Sequence, residues 1–403
     1  MAENINSPEI RFKGFTDPWE QRKLGDVAEI IGGGTPDTNN PDYWDGNIDW
    51  YSPAELGEQI YADASQRRIT KLGYENSSAK MLPADKTILF TSRAGIGTTA
   101  ILRRSACTNQ GFQSLVLSDD VNVYFIYSMS SRIKAYAESK ASGSTFLEIS
   151  AKLLGDMDVR LPCRAEQDAI GGYFQQLDNL ITLHQRKHEK LVQMKKAMLD
   201  RMFPKPGARF PEIRFEGFTD PWEQRKFSEM YVINNERNEN RALGYGTTLS
   251  VATMTYNGGN GAADGSLNTY KVVRVGDIAF EGHANKEHAY GRFVLNDAGD
   301  GLMSPRFSCL RPIIEQRYSF WKYYIPRESI MRPVLVNATK SGTMMNELVP
   351  ADLMRESILV PGLAEQETIG RFFKQVDFLI ALHQREHEKL VQMKKAMLDR
   401  MFV

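Results

Sequence analysis

The chain has 403 residues, 42% of them hydrophobic and 25% charged, with 50 Lys and Arg balancing 50 Asp and Glu. That length exceeds one compact core and suggests two units. No apolar run approaches the roughly 18 residues of a membrane span, and the polar start MAENINSPEIRF reads as neither a signal nor a transit peptide, so a cytoplasmic location is expected. Three scattered cysteines, Cys107, Cys163 and Cys309, form no CxxC pair and exclude a disulfide framework and a sequence-visible zinc site.

In chain order, the first segment is PEIRFKGFTDPWEQRK at 8–23. A first interior follows to about residue 160, with short β-like stretches KTILFTS (86–92) and FQSLVLS (112–118) between Gly, Asn and Pro turns. A helix is predicted near 122–141, then a polar loop Ser142-Gly143-Ser144-Thr145. From Glu166, Ile170, Phe174, Leu177, Ile181, His184, Leu191, Met198 and Met202 recur at helical spacing, and no proline interrupts 163–203. This allows a helix of about 38 residues, on the order of 57 Å, stopped by Phe203-Pro204-Lys205-Pro206-Gly207. The opening segment then returns as PEIRFEGFTDPWEQRK at 211–226, with one substitution in sixteen positions. A second interior has strands predicted at 271–282 and 307–313, a helix near 318–334 and a Ser341-Gly342-Thr343 loop. A second long helix ends in LIALHQREHEKLVQMKKAMLDRMF (379–402), differing from 180–203 at two positions of twenty-four.

The chain is therefore two copies of one unit with matched ends and unlike middles. Matched ends imply the same surface presented twice to one kind of partner. Unlike middles imply two ligands or two versions of one ligand; duplication followed by random drift would not spare both ends. Each long helix has one apolar stripe and needs a partner, for which its own copy is the obvious choice. The expected fold is α+β: two globular domains (8–160 and 211–359) joined by two long antiparallel helices (161–203 and 360–403) as a coiled coil with pseudo-twofold symmetry. Residues 204–210 form a linker, and chain start and chain end meet.

Neutral overall charge argues against a simple polyanion binder, although charge segregated onto one face is compatible with nucleic acid. The polar clusters at the predicted turns fit that chemistry, because Arg, Asn and Gln have the forked donors and acceptors that match guanine and adenine edges. In the first domain they are Arg67, Arg68, Thr91, Ser92, Arg93, Asn109, Gln110 and Gln113; in the second, His283, Asn285, Lys286, Tyr290, Arg292, Ser304 and Arg306. Lys140, Ser144 and Thr145, with Lys340, Ser341 and Thr343, suit phosphate, since small loop residues expose backbone N–H groups. Each residue alone could equally serve as a solvated turn or a cap. Trp19 and Trp222 in the repeated flanks, with Leu191, Met198 and Leu390 on the helices, are the candidate partner-binding residues.

Catalytic signatures are missing. Gly95-Ile96-Gly97 and Gly244-Tyr245-Gly246 are too short for a dinucleotide fingerprint, and no GxxxxGK[ST] loop occurs. Asp-Pro appears only before Trp19 and Trp222, without the Asn/Asp-Pro-Pro-aromatic pattern of an amino-methyltransferase, and Glu138-Ser139-Lys140 lacks an upstream acidic partner for a nuclease. His184 and His188, repeated as His383 and His387, lie one helical turn apart with no third ligand, which fits seam or surface positions better than metal.

Several motifs together resemble one family. They are the repeated PEIRF-GF-DPWEQRK segment, the LP-x2-AEQ-x2-IG segments at Leu161 to Gly171 and, with Val replacing Leu, Val360 to Gly370, and GGGTP, NSSAK-LP, SRAGIG and TNQGFQSL in the first interior. The chain resembles the specificity subunit of Type I restriction-modification enzymes over nearly its whole length. The resemblance implies a non-catalytic subunit that reads a bipartite, gapped target in double-stranded DNA, one half-site per variable domain. It also implies two modification subunits bringing S-adenosylmethionine, and restriction subunits bringing ATP and Mg, with no cofactor on this chain. The alternatives are a stand-alone nuclease or methyltransferase with an unrecognised site, and a structural tether that never touches DNA.

Overall fold

A computed structural model describes residues 7–93, 95–142, 147–259, 264–342 and 345–403. The fold is α+β and divides into two compact units: unit 1 is Met1–Gln185 with Arg385–Val403, and unit 2 is Arg186–Gln384. Both divisions fall inside uninterrupted helices, Arg164–Arg201 of 38 residues and Leu363–Met401 of 39.

In each unit the repeated flank closes the domain. In unit 1 the strand Glu20–Lys23 pairs antiparallel with Asp158–Leu161, bringing the start of the interior against its end. In unit 2, Glu223–Lys226 pairs with Ser357–Val360 in the same way. Between these ribbons the unlike interiors share a four-strand antiparallel core. Unit 1 orders Ala28–Gly32, Gln113–Leu117, Thr87–Phe90 and Thr99–Leu102, with Tyr61–Ala62 added parallel to the last. Unit 2 orders Tyr231–Ile233, Cys309–Pro312, Ile278–Glu281 and Arg292–Leu295. The strand within each hairpin is buried on both faces, as period-two side chains require when a sheet divides two cores. Ile88 and Phe90 point into one core and Leu89 into another; Ile278 and Phe280 are likewise divided from Ala279. Unit 1 adds a three-stranded sheet, Arg67–Ile69, Trp44–Tyr51 and Ala106–Thr108, with no counterpart among the described residues of unit 2.

The interior helices are shorter than the sequence suggests. The stretch near 122–141 is Val123–Ser128 followed by Ser130–Lys140, broken at Met129. The stretch near 318–334 is Tyr318–Tyr324 and Glu328–Ala338, parted at Pro326, with Pro333 accommodated inside the second helix.

The AEQ motif explains how each long helix is seated. Glu166 is fully buried and receives both forks of Arg11 at 2.7 Å, and Glu365 receives Arg214 at 2.7 and 2.8 Å. A carboxylate in the first turn also complements the helix dipole. Gln167 accepts from Asn122 N–H and donates to the Pro162 carbonyl; Gln366 does the same with Arg317 and Pro361.

Within unit 1, the end of the second long helix runs antiparallel to the start of the first. Lys394 meets Asp178 at 2.6 Å, and Phe402 enters an aromatic cluster of Trp19, Phe125 and Phe174. Unit 2 repeats this with Lys195 on Asp377 at 2.6 Å and Phe203 among Trp222, Phe320, Tyr324 and Phe373. Tyr124 and Tyr323 donate to the same two carboxylates. The expected meeting of chain start and chain end is present inside unit 1, where Ile10 N–H bonds the Arg400 carbonyl at 3.0 Å and Arg400 pairs with Glu9.

Candidate nucleic-acid interface

In unit 1 four loops that carry sequence motifs are tied together. Gly34 N–H donates to Thr108 O, and the Thr35 hydroxyl donates to Gln110 Oε1 at 2.6 Å. Ser92 N–H donates to Gly111 O, and Ile149 N–H donates to Ser92 O. A Cβ at Gly33 would lie 2.0 Å from the Asn109 carbonyl oxygen, and one at Gly34 2.3 Å from Ser78 Oγ. The GGGTP, NSSAK and TNQGFQSL motifs therefore pack as one loop cluster, with SRAGIG beside it.

The structure sorts the candidates in this unit by exposure. Thr91 and Ser92 are buried, which corrects their assignment as DNA contacts. The Thr91 hydroxyl donates to Gly95 O at 2.6 Å and accepts from Thr98 N–H, holding the hairpin turn shut, while Ser92 spends its backbone on neighbouring loops. Asn109 is half-buried and caps its own turn through Gly111 N–H, and half-buried Gln113 has a side-chain oxygen without a partner among the described residues. Gln110, Arg67, Arg68 and Lys140 are exposed and Arg93 is partly so. Arg68 is bound to buried Asp49 at 3.1 Å, with Arg104 on the same carboxylate at 3.9 Å. Arg67 lies with its guanidinium carbon 3.7 Å from the Trp44 ring centre.

In unit 2 the hairpin joining Ile278–Glu281 to Arg292–Leu295 presents His283, Asn285, Lys286 and Tyr290 on one loop. The segment after Lys340 docks on it: Asn346 N–H donates to Gly282 O and the Asn346 amide to Ala289 O. The corresponding place in unit 1 is the Ile149 to Ser92 contact, so each unit sets its late loop against its central hairpin. His283 and Lys286 are exposed, as are Arg306, Lys340 and Ser341, and Ser304 is half-buried. His283 Nδ1 lies against buried Glu281. Asn285 takes the N–H groups of Glu287 and His288, so it shapes the turn, and half-buried Arg292 donates to Ala252 O. Half-buried Tyr290 packs on the unit's core. Ser144, Thr145 and Thr343 lie outside the described residues.

The partner-binding candidates are redistributed. Trp19 and Trp222 are 3% and 1% exposed, inside the aromatic clusters that receive Phe402 and Phe203, so neither indole faces a partner. Leu390 and Met198 pack against the cores of units 1 and 2, and Leu191 is half-buried. The apolar side chains left exposed on the long helices are Leu180, Leu183 and Val192, repeated as Leu379, Leu382 and Val391, with Phe378 beside them. The reading from sequence missed these because it sought the inward stripe; the repeat itself was the signal.

The ionisable chemistry is structural. Burial pushes the Cys107 and Cys309 thiols up to about 12, so neither is a ready nucleophile. Burial also lowers the Lys271 ammonium, whose Nζ donates to Phe307 O. Among the described residues, no group of three or more His, Cys, Asp or Glu could hold a metal ion, and no helix is long and apolar enough to cross a membrane.

The two units thus use a shared strand core to hold two unlike loop surfaces. Residues 16–193 match the family model of the Type I restriction modification DNA specificity domain, and the curated relatives that the chain resembles are type I restriction enzyme specificity subunits. It is 31% identical over 222 residues to the type I restriction enzyme MjaIX specificity subunit of Methanocaldococcus jannaschii, a match covering 54% of this chain and about half of that relative, 47%. The MjaVIII specificity subunit of the same organism is 22% identical across 98% of this chain and 94% of its own length. The fold is shared with the S subunit of a type I restriction-modification system from M. genitalium, with a TM-score of 0.58 at 13% identity over 98% of this chain and 99% of the other.

Proposed function

We propose that this chain is the DNA-reading subunit of a type I restriction-modification complex, each unit recognising one half of a bipartite, gapped target in duplex DNA. The observation that carries this reading is one strand core used twice to hold different loops, inside flanks and helices that are nearly identical. Identical flanks suit two copies of one modification subunit, and different loops suit two different half-sites. Leu180 with Leu183, and their repeats Leu379 with Leu382, are exposed apolar pairs presented once by each long helix, where such partners would dock. Methyl transfer with S-adenosylmethionine and cleavage with ATP and Mg belong, on this reading, to partner subunits, and the chain itself holds no cofactor and works in the cytoplasm.

Methylation mapping of a genome tests the proposal in cells expressing the chain with its matching modification subunit, against cells lacking the chain. A gapped two-part motif methylated only when the chain is present is expected. An active modification subunit in an intact complex that leaves no such motif would overturn it.

A further inference from the structure

The exposed arginines of unit 1 are not equivalent. Arg68 and Arg104 converge on Asp49, which is only 3% exposed, so both guanidinium groups are drawn to a carboxylate of the protein itself. Arg67 has no side-chain hydrogen bond or ion pair among the described residues. Its guanidinium stacks at 3.7 Å on the Trp44 ring and lies 5.6 Å from that of Trp50, and the two indoles meet edge to face at 5.2 Å. Both indoles are fixed in turn: Trp44 Nε1 donates to Asp37 O at 3.1 Å and Trp50 Nε1 to Gly34 O at 2.8 Å. Arg67 opposes Trp50 on the outer strand of the three-stranded sheet.

A stacked guanidinium has one plane held by cation–π attraction while its N–H edge stays free. That edge is the fork which matches O6 and N7 of guanine, and stacking lowers the rotamer entropy lost on contact. The loop that anchors the indoles also bonds Gln110 through Thr35, so one Gly-rich segment supports both an arginine and an exposed glutamine.

We infer that Arg67 is a specificity-determining residue of unit 1 that reads a guanine in the major groove, and that Trp44 is the positioning residue that presents it. The inference rests on the proposed DNA-reading function. Its test is methylation mapping and DNA binding by the complete complex carrying Arg67→Ala, Arg67→Lys or Trp44→Leu. With Arg67→Ala, one G·C position in one half-site should lose about ten- to hundredfold of its discrimination, while the other half-site keeps its sequence. Arg67→Lys should restore the preference only in part, because an ammonium can still donate to guanine but lacks the planar fork that stacking on Trp44 presents. Trp44→Leu should relax the same position to a smaller extent, an effect that simple loss of stability would not confine to one base pair.

An unchanged motif in Arg67→Ala would overturn the inference. So would binding that weakens equally on all sequences with a shallower salt dependence, the mark of a phosphate contact. Absence of any gapped motif in the unsubstituted complex would instead remove the function on which the inference stands, so the two failures are distinguishable.

Discussion

Arg11 on Glu166 and Arg214 on Glu365 do the same work in the two units: each joins the start of a repeated flank to the first turn of a long helix. Glu166 is fully buried, so removing its counter-charge leaves a carboxylate that can neither hydrate nor pair. Arg11→Ala should destabilise unit 1 by about 3 to 5 kcal/mol, read as a lower urea midpoint, whereas exposed Lys13→Ala should not. Glu236 offers a test by pH. Burial raises its carboxyl pKa, but hydrogen bonds from Arg274 and Arg311 outweigh this and hold it below the ordinary glutamate value. Its contribution is present above that ordinary value, roughly 4.3, and is lost as pH falls through the lower folded value. Unit 2 should therefore lose thermal stability in that acid range, and Glu236→Gln should flatten the dependence there. At this scale the sequence revealed which residues mattered more readily than why. The AEQ motif was visible as a repeat, but the role of its glutamate depends on an arginine more than a hundred positions away. Thr91 and Ser92 were DNA-contact candidates as members of a polar cluster at a turn, and only the folded hairpin shows both buried, with the Thr91 hydroxyl bonded inside it.

Among elements, the long helices were the most legible, since period and the absence of proline fix a helix locally and the stop at Pro204 is unambiguous. The strand cores were legible only as scattered stretches. Their common order rests on pairing between distant segments, such as Ala28–Gly32 with Gln113–Leu117, which no local pattern specifies. The Trp44 platform was invisible for the same reason, because it needs the Trp44–Tyr51 strand to pair across an irregularity with Arg67–Ile69. The helix ends teach the opposite lesson. From sequence Phe203 reads as part of the helix stop and Phe402 has no assigned role, yet both are core residues of the domains they reach. Phe402→Ala should cost unit 1 about 3 to 5 kcal/mol and leave unit 2 unaffected, and Phe203→Ala should do the reverse. Hydrogen exchange resolved by peptide, following core amides of each unit, checks both.

For the molecule as a whole, the chain passes between the two units only along the two long helices. If each unit reads a half-site, these helices are the part of the sequence that can be lengthened without touching a reading loop. Inserting one heptad in each helix at the unit boundary, after Gln185 and after Gln384, should change the length of the unread gap in the methylated motif and preserve both half-sites. Altered half-sites would show that the helices contribute to reading. The two-copy organisation was fully apparent from the repeated ends, while the content of either half-site is not written in any local pattern.

The seating of Phe402 bears on how the protein is made. Trp19, Phe125 and Phe174 are translated before any residue of unit 2, but the Phe402 ring that completes their cluster follows all of it. Until Phe402 is made that cluster is incomplete, and the loop to be closed runs from Trp19 to Phe402, at an entropic cost that grows only slowly with length. Unit 2 has all of its pieces earlier. Of the two units, the N-terminal one is thus the later to be able to finish folding, and the nascent chain carries an incomplete apolar core while unit 2 is synthesised.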